Sequence, residues 1–267
     1  MGSVEPISEK LLSRKEGGIG WITFNNPARH NAVSMSMWEG VPRVLDQFAA
    51  DPEVRCVILH GAGDKAFISG ADISEFKEKR SSKEAADAYN AAGDRAHIAI
   101  QSFPKPTIAM IQGYCIGGGC AVAIDCDIRI AADDSLFSVP AGRLGLGYRY
   151  DGIKRLVDLV GPSFASEIFF TAKKFSAKDA ITMGLINRVV SRAELESYTL
   201  EYAKTIADNA PLTLAAVKRC VLEAQKAGTT PDLATCEKMV AACFASQDYI
   251  EGRTAFMEKR RPVFKGQ

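Results

Sequence analysis

The run Gly117-Gly118-Gly119, set directly before the apolar stretch Cys120 to Ile124, is the first place where residue types in this chain suggest chemistry. Glycines let the main chain approach a ligand, and the stretch after them reads as a buried helix whose amino-terminal dipole adds to free N–H groups. Donors fixed in that way would hold an oxygen on which negative charge develops. A tight strand-to-helix turn needed only for packing would leave the same trace. A second concentration lies in Leu144-Gly145-Leu146-Gly147-Tyr148-Arg149-Tyr150-Asp151-Gly152, which crowds phenols, a guanidinium and a carboxylate beside glycines. Tyrosines there can simply pack, and an aspartate before glycine and an apolar segment suits a helix cap. The three histidines offer less: His30 stands in a loop motif, His60 follows an apolar run, and His97 falls within a helical segment. They give no Ser/His/Asp or metal constellation, and no cysteine pair has zinc-site spacing, so no metal is expected.

The elements that must position these groups alternate. Gly20 to Phe24, Cys56 to His60, Pro106 to Ile111 and Ile128 to Ala131 are short apolar runs rich in β-branched and aromatic residues, and they read as buried strands. Ser34 to Ala50, with Ser34 as cap, and Ser82 to Ser102 read as helices between them. The pattern implies an α/β core. From Gly161 onward helix follows helix, through Glu194 to Asn209, Leu212 to Ala227 and Asp232 to Ser246.

Composition sets bounds. The 267 residues suffice for a substantial apolar interior, and 47% hydrophobic with 24% charged residues is ordinary for a globular protein. A formal net charge of +1 exerts no pull toward nucleic acid. The basic clusters Lys77 to Arg80 and Lys259 to Arg261 read as solvated helix faces. No run approaches the roughly 20 apolar residues needed to span a bilayer, so no membrane association is expected. Seven cysteines, odd in number and mostly within apolar stretches, read as buried free thiols, and a cytoplasmic protein is expected.

Four ordered segments carry a resemblance. They are Asn26-Pro27-Ala28-Arg29-His30-Asn31-Ala32; Lys65-Ala66-Phe67-Ile68-Ser69-Gly70-Ala71-Asp72-Ile73; Gly113 to Ala121 followed by Cys126-Asp127; and Glu251-Gly252 with Ala255 to Arg260. Together they resemble the crotonase superfamily of enoyl-CoA hydratases and isomerases across nearly the whole chain. The resemblance implies a spiral core of ββα units over residues 1–200 carrying an acyl-CoA site. It also implies a helical oligomerisation region over 201–267 that builds a homotrimer or a hexamer of two trimers. The coenzyme A thioester is the implied substrate, with no further cofactor. Ala71 and Gly118 are implied as the backbone donors to a thioester enolate. Arg29, Lys65, Phe256 and Lys259 match positions that contact coenzyme A, the last two from a neighbouring subunit. Ser69 and Ala71 would line the adenine side, with Asp72 and Ile73 beside them in the same motif; Asp72 reads as a structural residue or a cap.

The acid and base depart from the family pattern. Hydratases of the superfamily place one glutamate after the glycine run and one after a Phe-x-x-Pro-like segment; those positions here are Ala121 and Ala141. A methyl group can neither hold water nor move a proton, so hydration by a glutamate pair is not expected. Other branches draw the acid or base from the next loop, which nominates Tyr148, Arg149 and Asp151. Leu144-Gly145-Leu146 followed by Tyr148 resembles methylmalonyl-CoA decarboxylases, in which Tyr148 would supply a proton and Arg143 or Arg149 would orient a carboxylate; those enzymes carry histidine where this chain has Ala71. The expectation is an enoyl-CoA hydratase/isomerase-like enzyme, with a decarboxylase of a malonyl-type thioester and a catalytically silent acyl-CoA binder as alternatives.

Overall fold

The computed structural model describes residues 8–72, 83–226 and 228–267, and strands form where apolar runs can be covered on both faces. β1 (Leu11–Glu16) and β2 (Ile19–Phe24) make an antiparallel hairpin. β2 pairs in parallel with β3 (Cys56–Gly61), which pairs with β5 (Thr107–Ile111), then β7 (Ile128–Ala132) and β10 (Arg188–Val190). The order of this six-stranded sheet is β1-β2-β3-β5-β7-β10. The short strands β4 (Ala66–Ile68), β6 (Tyr114–Ile116), β8 (Leu136–Ser138) and β9 (Phe175–Ser176) form a second sheet in that order. β3, β5 and β7 each hand the chain to the next short strand of the second sheet, so the core winds as the expected spiral of strand-strand-helix units.

Alternation along the large sheet divides two cores. Val57, Leu59, Ala109 and Ile111 face α1 (Met35–Ala50) and α2 (Lys83–Ser102), whereas Ile58, Ile108, Met110 and Ile130 face α7 (Leu195–Ala207). Helix α1 buries Met37, Trp38, Val41, Val44, Leu45 and Phe48, a spacing that makes one apolar stripe. Ser34 caps it through its backbone, but the Ser34 hydroxyl bonds to Ser36 Oγ at 3.0 Å instead of a helix N–H.

The chain also forms α3 (Gly118–Asp125), α4 (Ala141–Leu144), α5 (Tyr150–Thr171) and α6 (Ala177–Thr182). Helix α5 is broken at Gly161, whose φ of 76° lies outside the helical range. Unbroken helical character begins later than Gly161, because β9, α6 and β10 intervene. The boundary drawn at residue 200 falls inside α7, whose Leu195 and Ala203 are buried against the large sheet. The helices α8 (Pro211–Ala224), α9 (Leu233–Phe244) and α10 (Gln247–Glu258) follow it. Helix α10 holds the segment Glu251 to Glu258, which sequence patterning had left without an element.

Candidate active site

Two backbone segments meet at the amino end of α3. The first leaves β4 through Gly70, whose φ of 111° is open to glycine, and is pinned by Val33: the Val33 N–H donates to Gly70 O at 2.8 Å and the Asp72 N–H donates to Val33 O at 2.9 Å. The second turns at Gly117 (φ 55°, ψ −111°), whose N–H donates to Ser138 O at 2.8 Å. A Cβ on Gly119 would stand 2.2 Å from Ile68 O, so only glycine lets α3 press this closely on β4. A Cβ on Gly118 would lie 3.8 Å from the Gly70 carbonyl carbon, to which the Ala71 nitrogen is bonded. The Gly70–Ala71 peptide and Gly118 are therefore adjacent, and among the described residues neither the Ala71 nor the Gly118 N–H meets an acceptor. At the other end of α3, Arg129 Nη1 donates to Cys126 O at 2.6 Å and Arg155 Nη2 donates to Ile124 O at 3.2 Å. Cations at the carbonyl end complement the dipole whose positive end points at Gly118.

The amino-terminal motif closes against the same place. Buried Asn31 donates through Nδ2 to Ala62 O at 2.9 Å and Ala66 O at 2.7 Å, tying its loop to β3 and β4. Ser69 docks there as well, its N–H on His30 O at 3.1 Å and its hydroxyl on Arg29 O at 3.2 Å. Arg29 Nη1 lies 3.7 Å from Asp72 Oδ1; the arginine is exposed and the carboxylate is buried. Arg29, Ser69, Ala71, Asp72 and Gly118 are thus brought together, and exposed Lys65 stands at the start of β4. Ile73 lies outside the described residues, as does the basic cluster Lys77 to Arg80.

Ala121 and Ala141 differ. Ala121 is half-buried on the first turn of α3, whereas Ala141 is buried within the main core. The nominated loop residues also separate. Tyr148 packs edge-on to Phe169 at 4.9 Å, and burial beside the Cys120 thiol pushes its phenol up to about 12, so it holds its proton at neutral pH. Arg149 is the backbone cap of α5, and its guanidinium is paired with Asp94 on α2. Asp151 is therefore not the cap; it sits exposed in the first turn of α5. Tyr150 is 72% exposed.

Phe256, 82% exposed, and Lys259, in a left-handed conformation, close the carboxyl end of α10. Phe256 borders an apolar cavity of about 860 Å³ between α8, α9 and α10, whose walls include Val217, Val221, Phe244 and Tyr249. This cavity shares no residue with the glycine segments. The basic cluster at Lys259 to Arg261 is not a solvated helix face, because Arg260 lies beyond the helix and bonds Glu251 at 2.6 and 2.8 Å.

One arrangement escaped the sequence reading. His97 Nδ1 lies 2.5 Å from Oδ2 of buried Asp125, and Gln101 Nε2 donates to Asp125 Oδ1 at 2.7 Å. His97 and Gln101 share a face of α2 at helical spacing, which was the available signal. Their partner lies 28 positions away from His97. Among the described residues no group of three or more His, Cys, Asp or Glu side chains converges as a metal would need, and no helix is long and apolar enough to cross a membrane.

Residues 14–267 match the family model described as enoyl-CoA hydratase/isomerase. The chain is similar to a short-chain-enoyl-CoA hydratase of Clostridium acetobutylicum, 34% identical over 251 residues that cover 94% of this chain and 95% of that one. It is likewise similar to the carnitinyl-CoA dehydratase of Escherichia coli K12, at 34% identity over 272 residues, covering 98% and 100%. A solved enoyl-CoA hydratase/carnithine racemase from Magnetospirillum magneticum has a TM-score of 0.90 at 33% identity over 97% of each chain.

Proposed function

The chain belongs to the enoyl-CoA hydratase/isomerase family, and from that premise we propose that it binds an acyl-CoA thioester and stabilises its enolate between the N–H groups of Ala71 and Gly118. The observation that carries this reading is the adjacency of the Gly70–Ala71 peptide to Gly118, with both N–H groups lacking an acceptor among the described residues, at the positive end of a helix whose other end is capped by arginines. Fixed donors in a dry site need no reorganisation when charge arrives on the carbonyl oxygen. Arg29, Lys65, Ser69, Asp72 and, from a neighbouring subunit, Phe256 and Lys259 would hold the coenzyme A moiety; exposed guanidinium and ammonium groups suit its phosphates.

The reaction we infer is isomerase-like proton transfer at the acyl chain. This chain has methyl groups at positions 121 and 141, which can neither hold water nor move a proton, so a two-glutamate hydration is not supported there. A second reading, decarboxylation of a malonyl-type thioester, is favoured by one observation: Tyr148 is a protonated phenol in an apolar setting, suited to quench an enolate. Its carboxylate clamp is weaker, since Arg149 is already paired with Asp94.

Mass spectrometry of an acyl-CoA panel of enoyl, 3-hydroxyacyl and branched malonyl thioesters, incubated with the protein in deuterated water, decides between them. Deuterium entering an otherwise unchanged acyl group is the expected result. Loss of carbon dioxide would establish the second reading, addition of water would overturn the exclusion of hydration, and an inert panel with retained binding would leave a silent binder.

A further inference from the structure

We propose that Trp38 and Tyr89 are positioning residues that set the spacing and aim of the two backbone donors, an inference that rests on the thioester-enolate reading above. The need for such a brace lies in Gly70. With a φ of 111° and no β-carbon, this residue leaves the plane of the Gly70–Ala71 peptide to be fixed from outside. Val33 does the fixing: its N–H donates to Gly70 O at 2.8 Å, and its carbonyl accepts the Asp72 N–H at 2.9 Å. A trans peptide carries its C=O and N–H on opposite sides, so the bond that holds Gly70 O aims the Ala71 N–H away from Val33. The direction of this donor therefore depends on where Val33 stands.

Val33 is held in turn by a chain from two helices. The Tyr89 hydroxyl, on α2, donates to Val33 O at 3.1 Å and accepts from Trp38 Nε1, on α1, at 3.0 Å. All three residues are buried, Val33 completely and the two aromatic ones with 4% of their surface exposed. A buried indole N–H and a buried phenol have given up their water, so these bonds are costly to leave unmade and the geometry they impose is definite. Packing within the main core, to which all three belong, would be served by phenylalanine at positions 38 and 89. The N–H and O–H groups add aim rather than volume.

Trp38 also reaches the second donor. A β-carbon built on Gly118 would lie 3.8 Å from Gly70 C, from Gly70 Cα and from Trp38 Cζ2, so the indole and the Gly70 segment flank Gly118 together. Cζ2 and Nε1 are bonded to the same ring atom, so a single edge of the indole faces both Gly118 and the Tyr89 hydroxyl. Trp38 thus stands beside Gly118 directly and governs the Ala71 donor through Tyr89 and Val33. Neither aromatic side chain has to touch the thioester for this. A donor displaced by about 1 Å from the developing oxyanion costs on the order of 10²-fold in rate, so modest slack in the brace is visible in turnover.

The test uses the full chain with butyryl-CoA, carrying a heavy-carbon label at its carbonyl, as the probe. It compares Trp38→Phe, Tyr89→Phe and the double variant with Phe48→Leu, a core change about 15 Å further along α1. Isotope-edited infrared spectroscopy reads the downshift of the bound thioester carbonyl, and mass spectrometry reads exchange of its α-protons in deuterated water; affinity and melting temperature are measured beside them. The expected result is a smaller downshift and exchange slower by about 10–10²-fold in both single variants, with affinity kept within about threefold. Because the two residues act as one chain, the double variant should lose little more than either single one, and losses that multiply would overturn the shared chain. Phe48→Leu should lower the melting temperature and leave downshift and exchange unchanged. Readouts that simply follow melting temperature in all four variants would reduce the pair to a structural role and overturn the proposal. If Trp38→Phe does not fold, Tyr89→Phe, which removes one oxygen atom, carries the test. A wild-type downshift that the folded variants keep, with undiminished exchange, overturns this inference alone. A wild-type chain that binds the probe without any downshift or exchange overturns the enolate reading, and this inference with it.

Discussion

At the scale of single residues, Gly118 bears most directly on the proposed chemistry. It is the first residue of α3, where a helix has no use for the N–H and proline is tolerated. Gly118→Pro should therefore keep the fold and lose about 10²–10³-fold in enolate exchange, the cost of one oxyanion donor. Gly118→Ala keeps the N–H, and its Cβ would meet neighbours at an ordinary 3.8 Å, so it should lose much less. Circular dichroism beside the exchange assay separates unfolding from a missing donor; equal losses in the two variants would count against the donor role. Ala141 gives a second prediction. Because it is buried in the main core, Ala141→Glu should place an unpaired acid among apolar groups and cost several kcal/mol, about 2–5, in chemical denaturation. Ala121→Glu, on a half-buried position, should be tolerated. The two alanines are thus not equivalent vacancies, a distinction of burial that the sequence does not carry.

Among elements, the contact between α3 and β4 fixes the site. Gly119 exists to allow it, and Gly119→Ala, with its Cβ 2.2 Å from Ile68 O, should force the two apart at about 1–3 kcal/mol of stability. The large sheet makes a prediction of its own. His60 on β3 packs edge-on against Trp21 at 5.4 Å and bonds Thr23 Oγ1 at 2.8 Å, and burial lowers its pKa from 6.5 to about 4. The sign follows from linkage: the unfolded chain takes up the proton below its ordinary value, whereas the folded chain does not until about 4. Stability should be full above pH 6.5 and fall as pH drops from there toward 4, by at most about 3 kcal/mol. Urea titrations of wild type and His60→Gln check this; parallel pH dependence in both would refute it. Four strands of the large sheet, β2, β3, β5 and β7, were legible because both faces are apolar, whereas the edge strands β1 and β10, half-exposed and partly charged, were not. The three-residue strands β4, β6 and β8 were not, since runs so short carry no period and pair only because the longer strands deliver them side by side.

For the whole molecule, the carboxyl-terminal helices leave much apolar surface uncovered. Phe244, Phe256 and Met257 are 63%, 82% and 79% exposed, around or beside the cavity of about 860 Å³. Surface of that kind favours association, and light scattering after size exclusion should report a trimer or hexamer rather than a chain of 28.8 kDa. Phe244→Asp should shift it toward monomer; a monomeric wild type would remove the expected role of Phe256 and Lys259 across subunits. The sequence by itself determined the family, the α/β core, most long elements, and the two glycine-bearing segments, because apolar period and glycine placement are local properties. It also showed alanine at positions 121 and 141, where the resemblance leads one to expect glutamates, since a side chain's chemistry needs no fold to be known. Only the tertiary structure decided that the Gly70–Ala71 peptide lies beside Gly118, that Arg149 is paired with Asp94, and that His97 meets Asp125. Each of these depends on where separate elements are brought by packing, and no spacing along the chain encodes a distance between two helices.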